Sequence, residues 1–99
     1  RLSQTENPIF DDNKTTFAEL QARIAKTIEF MESVPEPAFE GAEQRDVVMK
    51  FGPEERTFTG TSYFTGFAAP NFYFHMTTAY NILRHNGLEI GKRDFLGAA

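Results

Sequence analysis

Cysteine is absent from the 99 residues, which removes disulfides, thiolate catalysis and cysteine-ligated zinc from consideration. Also missing is any apolar run near the roughly 20 residues that a membrane span needs. The N-terminus has neither the charged nor the apolar region of a signal peptide, so the expectation is a cytoplasmic protein with no membrane partner. Basic charge is scarce. Ten Lys and Arg stand against fourteen Asp and Glu, giving a formal charge of -4 and a pI near 5.1, and the cations nowhere form a stripe. Nucleic acid is therefore not expected as a partner. No glycine-rich phosphate loop, nucleophile elbow, His-Glu-x-x-His or EF-hand pattern occurs, so no catalytic residue is assigned and no cofactor is expected. Glu40, Glu43, Glu54 and Glu55 read as solvated loop charges.

What the chain has in excess is phenylalanine, 11 of 99 residues, and each buried ring removes roughly 150 to 250 Å² from water. A chain of this length makes one small domain, and small domains leave much of their surface exposed. So large an apolar payload asks for a partner surface. The sequence opens on Arg1 rather than Met, which reads as a processed or truncated product.

Pro8 and the Asp11-Asp12-Asn13 run give Arg1 to Thr15 the chemistry of an irregular lead-in. Thr16 and Glu19 then predict a capping box that starts a helix. Phe17, Leu20, Ile24, Ile28 and Met31 recur at spacings of three and four, within an arc of about 80° that suits a bundle seam. Pro35 and Pro37 stop this helix near Ser33. After a loop containing Gly41, Asp46 to Phe51 predicts a strand with Val47, Met49 and Phe51 on one side. Gly52 to Glu55 supplies a turn and Arg56 to Thr59 returns, making a short hairpin. Thr61 is expected to cap a second long helix that runs to about Asn86, with Gly87 as its left-handed terminator. Pro70 inside it predicts a kink, or else a break with Pro70 in the new first turn. Leu88 to Ala99 reads as a tail with a charged trio at Lys92, Arg93 and Asp94.

On a uniform helical wheel the second helix carries Phe64, Phe67, Ala68, Phe72, Phe74, Met76, Ala79, Ile82 and Leu83 in an arc of about 200°. Its polar side carries Tyr73, Thr77, Tyr80, Asn81 and Arg84. Asn71 and His75, one turn apart, fall in the middle of the apolar arc and are expected to point inward, where buried polar groups need partners. Either they satisfy each other and nearby carbonyls, or they belong to a metal or ligand site, since bundle interiors are where such sites are built. His75, Asn71 and Tyr80 are the candidate ligand-binding residues. His85 lies roughly 15 Å further along the axis and belongs with the helix end, where a partly charged imidazole favours the dipole.

Pro70-Asn71-Phe72-Tyr73-Phe74-His75-Met76-Thr77-Thr78-Ala79-Tyr80, followed by Ile82 to Gly87 and by Gly91 to Gly97, resembles the C-terminal signature of an uncharacterised DinB-like family of bacteria and fungi. Thr16 to Leu20, Ala22-Arg23-Ile24 and Lys26-Thr27 are similar to that family's third helix, and Phe39 to Ala42 to the loop after it. The resemblance implies a mainly α fold in which two long antiparallel helices joined by a β-hairpin form half of a DinB-like four-helix bundle. Residues 1–99 would be a single domain lacking the first two helices, completed by a partner chain, with a homodimer expected. Many DinB-like relatives carry a three-histidine metal site. Here Asn71 stands where the first histidine of a late His-x-x-x-His pair would be, so the resemblance implies no metal. The superfamily includes thiol-dependent transferases and isomerases, but fold alone transfers no activity. The two function classes left open are a small-ligand binder, its ligand unknown, and a structural or interaction module with a closed core.

Overall fold

A computed structural model describes residues 1–97. It is mainly helical with one two-stranded antiparallel sheet, and it divides into two compact units, Arg1–Thr61 and the remainder from Ser62.

In the first unit the lead-in is irregular and helix α1 spans Phe17–Ser33. Thr16 caps it, its hydroxyl accepting from the Glu19 N–H at 3.1 Å. The return half of the box differs from expectation. The Glu19 carboxylate reaches one residue further and accepts from the Thr15 N–H at 3.3 Å, so one orphan donor of the first turn, the Glu19 N–H, is satisfied and the return bond braces the lead-in instead. The same segment is held to the flank of α1 by Arg23, whose guanidinium lies 4.0 Å from the Phe10 ring centroid and 3.9 Å from an Asp12 oxygen.

Two 3₁₀ turns, Glu36–Phe39 and Ala42–Gln44, occupy what the sequence suggests is an unstructured loop. Gly41, at φ 72°, supplies the left-handed joint between them. Strands β1 (Asp46–Phe51) and β2 (Glu54–Thr59) pair in register from Asp46↔Thr59 to Phe51↔Glu54. The turn is therefore the two residues Gly52 and Pro53 alone, and Glu54 and Glu55 belong to β2. Gly52 has φ 61° and the proline ring fixes φ near -65°, a combination that gives the II′ turn favoured by tight hairpins. Val47 and Met49 are 3% and 7% exposed, with Phe51 and Phe58 half-buried on the same face.

Arg45 ties this unit together. Its guanidinium donates to the carbonyls of Ala38 and Glu40, each at 2.7 Å, and to that of Leu2, so one forked side chain joins the lead-in, the first 3₁₀ turn and the start of the hairpin. Gly60 is the second clasp. A Cβ there would overlap the Ala42 carbonyl oxygen and stand 2.6 Å from its carbon, so the close approach of these two backbones requires glycine.

The second long helix begins at Gly60, before Thr61. Thr61 does not cap it; its hydroxyl donates to the Glu43 carbonyl at 3.2 Å. Helix α2 (Gly60–Tyr63) passes into a single π-turn (Phe64–Ala68) and on into α3 (Ala69–His85). Pro70 thus neither breaks the backbone nor starts a separate helix. The Ala69 N–H bonds the Phe64 carbonyl five residues back, and Ala69 remains helical at φ -67°, ψ -48° although a proline follows. The widened turn absorbs the proline, whose ring and missing N–H would disrupt a regular α turn.

The end of α3 is as expected. Gly87 has φ 96°, and the N–H groups of Leu88 and Gly87 bond the carbonyls of Leu83 and Arg84, which is a Schellman motif. The stretch read as a tail is ordered. A four-residue helix α4 (Lys92–Phe95) follows, started by the Asp94 carboxylate accepting from the Gly91 N–H at 2.8 Å. No helix among the described residues is long and apolar enough to cross a membrane.

Candidate functional site

Helix α3 positions all three candidate ligand-binding residues, and the structure places them in two different settings. Asn71 and His75 are one turn apart, as predicted, but both are exposed in this chain rather than buried. The reason is general to the helix: no residue of α3 is buried. Phe72, Phe74, Ile82 and Leu83 are each half or more exposed, so the inward side of the wheel has nothing over it. Asn71 and His75 do not satisfy each other, because neither side chain makes a hydrogen bond among the described residues. The His75 ring instead meets Phe74 edge to face, centroids 5.3 Å apart.

Tyr80 stands apart from that pair. Its hydroxyl donates to the Gly91 carbonyl at 2.5 Å and its ring meets Phe95 edge to face at 5.2 Å. At 100° per residue it projects roughly 140° away from His75. It holds α4 against the last turns of α3. Beside it lies a depression of about 200 Å³ lined by Thr77, Tyr80, Asn81, Arg84, Lys92 and Phe95. Reading the sequence put four of these on the polar side of the helix but left Lys92 and Phe95 in a tail. The signal that could have joined them is Gly87 followed by Gly91-x-x-Asp94, a stop and a restart four residues apart.

Residues 1–96 match the family described as Domain of unknown function (DUF1993). The chain belongs to the DUF1993 family. Its fold is that of a solved relative, the crystal structure of a DinB family member protein from Shewanella denitrificans, with a TM-score of 0.79 and 44% identity over 93% of this chain. The match covers 51% of that structure's chain, so this DUF1993 chain spans about half the length of its relative. No curated protein matches it. The family is therefore the uncharacterised DinB-like one implied by the signature around Pro70 to Gly97, and the mainly helical fold with a two-stranded hairpin agrees with it.

The three-histidine metal site of DinB-like relatives does not fit the residues of this DUF1993 chain. Asn71 and His75 make an amide-imidazole pair, and an amide is a weak ligand where zinc-type sites use imidazole, thiolate or carboxylate. Among the described residues no three His, Asp or Glu side chains gather as a metal would require. No chemical step is derived through such a metal.

Proposed function

We propose that this chain is an association module of a helical bundle, and that as a 99-residue polypeptide it pairs with a second copy in a twofold dimer. The observation that carries this reading is that α1 and α3 bury none of their residues, although Leu20, Ile24, Ile28 and Met31 line one and Phe72, Ile82 and Leu83 line the other. Large apolar side chains covered by a partner contribute roughly 1.5 to 3 kcal/mol each, and several together rival the stability of a small domain. A twofold pairing needs only a self-complementary patch. The Shewanella denitrificans structure, with as much chain again beyond the matched part, supports a fold that has a second half. Light scattering on the 99-residue chain tests the reading: a dimer mass is expected at micromolar concentration, and a folded, cooperatively melting monomer refutes it.

A second reading is favoured by Asn71 and His75. Two polar side chains without hydrogen bonds on a face that becomes covered must acquire partners, and a small polar molecule held between the layers supplies them. Native mass spectrometry of the assembled protein is expected to show a bound small molecule that is lost in the double variant Asn71→Leu, His75→Leu. No mass beyond the polypeptide in the parent, with the dimer intact, leaves the association module alone.

A further inference from the structure

The depression beside Tyr80 is built from two sides. From α3 come Thr77, Tyr80, Asn81 and Arg84, and from α4 come Lys92 and Phe95. These four α3 residues lie on the far side of the helix from His75, about 120° to 180° round at 100° per residue. The depression therefore faces away from the side of α3 that carries Asn71, His75 and Ile82.

The Tyr80 hydroxyl on the Gly91 carbonyl and the Tyr80–Phe95 ring contact hold α4 to α3, while the Asp94 carboxylate on the Gly91 N–H and the bonds from Phe95, Leu96 and Gly97 back to Gly91, Lys92 and Asp94 order α4 itself. Sites whose walls are already ordered lose less entropy when a ligand arrives. The floor is aromatic, the Tyr80 and Phe95 rings locked edge to face. The rim is cationic. Neither Arg84 nor Lys92 has a carboxylate partner among the described residues, and the nearby acid in sequence, Asp94, is engaged by Gly91.

Charge is also distributed unevenly. From Ser62 onward the chain has three Lys and Arg against two Asp and Glu, while Arg1–Thr61 has seven against twelve. The depression lies in the unit with an excess of cations, so an anion reaching it meets less long-range repulsion there.

We propose that this depression is a binding site for a small planar molecule carrying one anionic group, a carboxylate or a phosphate. The flat body stacks on one of the two perpendicular rings of Phe95 and Tyr80 and meets the edge of the other, the anion is held between the Arg84 guanidinium and the Lys92 ammonium, and the Asn81 amide and Thr77 hydroxyl take polar atoms at its edge. A pocket of small volume with an apolar floor and a few convergent polar groups is the usual form of such sites.

The test is a titration of the ¹⁵N-labelled protein with phenyl phosphate and, in parallel, benzoate, followed by amide chemical shifts. Inorganic phosphate and phenol serve as the charge-only and ring-only probes. Saturable shifts are expected at Thr77, Asn81, Arg84, Lys92 and Phe95 with at least one of the two aryl anions, at a Kd in the millimolar range or tighter. Each single-feature probe should bind about tenfold more weakly or worse. Arg84→Gln with Lys92→Gln, both at exposed positions, should weaken the aryl anion by about tenfold or more while leaving the spectrum elsewhere unchanged. The proposal is overturned if neither aryl anion gives saturable shifts at these amides, if the double variant binds as well as the parent, or if inorganic phosphate binds as tightly as phenyl phosphate.

Discussion

The hairpin region and the long helix α3 solve the problem of burial in opposite ways. Residues 36–61 are short elements, yet they contain Ala42, Val47 and Met49, all under a tenth exposed, and each element is tied to the next through Arg45, Gly60 or Thr61. Helix α3 has 17 residues and a rich apolar sequence but buries none of them. Regular secondary structure is thus a poor guide to where packing is complete. The hairpin's buried set is small, Val47 and Met49 on one face of a two-stranded sheet. An amphipathic helix satisfies its backbone internally and still leaves a stripe that only another element can cover.

If this contrast is right, substitutions in the hairpin region cost stability within the chain, and substitutions on the helix faces alter association instead. Gly60→Ala has the largest expected effect. The added methyl overlaps the Ala42 carbonyl oxygen and meets its carbon at 2.6 Å, and these are backbone atoms that cannot swing aside. Overpacking of this kind costs about 1–3 kcal/mol or more, and urea unfolding should show the midpoint falling with an unchanged slope. A variant as stable as the parent would show that the 3₁₀ turn at Ala42 is not fixed.

Arg45→Ala comes next, at about 1–2 kcal/mol, because it leaves three carbonyls without their donor in a partly solvated setting. Arg45→Lys should recover less than half of the loss, since one ammonium cannot serve three acceptors spread around a planar fork. Full recovery by lysine would mean that charge, not geometry, holds the lead-in. Tyr80→Phe removes one hydrogen bond, worth about 1 kcal/mol. Its effect is expected to be local, with faster hydrogen exchange at Phe95, Leu96 and Gly97 and little change at Val47 or Met49.

The smallest effect on the chain itself is expected from Ile24→Ser and Ile82→Ser. Measured in dilute, fully dissociated protein, each should stay within about 0.5 kcal/mol of the parent, as substitutions on an open surface do. The same pair should abolish the dimer in light scattering. A loss of about 2 kcal/mol in the monomer would place these residues in an intrachain core and end the contrast.

Much of the fold was legible in the residues. The bounds of α1, the buried face of β1 and the Gly87 terminator each follow from a local rule whose cause is steric or a single hydrogen bond. The features that escaped depend on approach between segments distant in sequence. Thr61 looks like a cap until Glu43 is brought beside it, and Gly60 looks like a spacer until the Ala42 backbone is. The π-turn before Pro70 escaped because the sequence around it has ordinary helical periodicity. The site was less legible. Asn71 and His75 do lie one turn apart on α3, but the uniform wheel set them in line with Phe64, which the π-turn undoes, and whether they are buried depends on what covers α3. The depression involving Phe95 required knowing that the chain folds back after Gly91.

The π-turn at Phe64–Ala68 works like one extra tooth cut into a screw thread. At 100° per residue, the inserted residue turns everything beyond it back by about 100° relative to a uniform helix. Phe64 then shares a line with Phe72, Met76, Ala79 and Leu83, while Asn71, His75 and Ile82 form a second line about 100° round. The broad arc of the uniform wheel is thereby sorted into two tracks, one wholly apolar and one mixed, each suited to a different neighbour. Regularising this turn to α-helix at unchanged length would rotate the mixed track back into line with Phe64 and exchange which neighbour meets His75, without altering one downstream side chain.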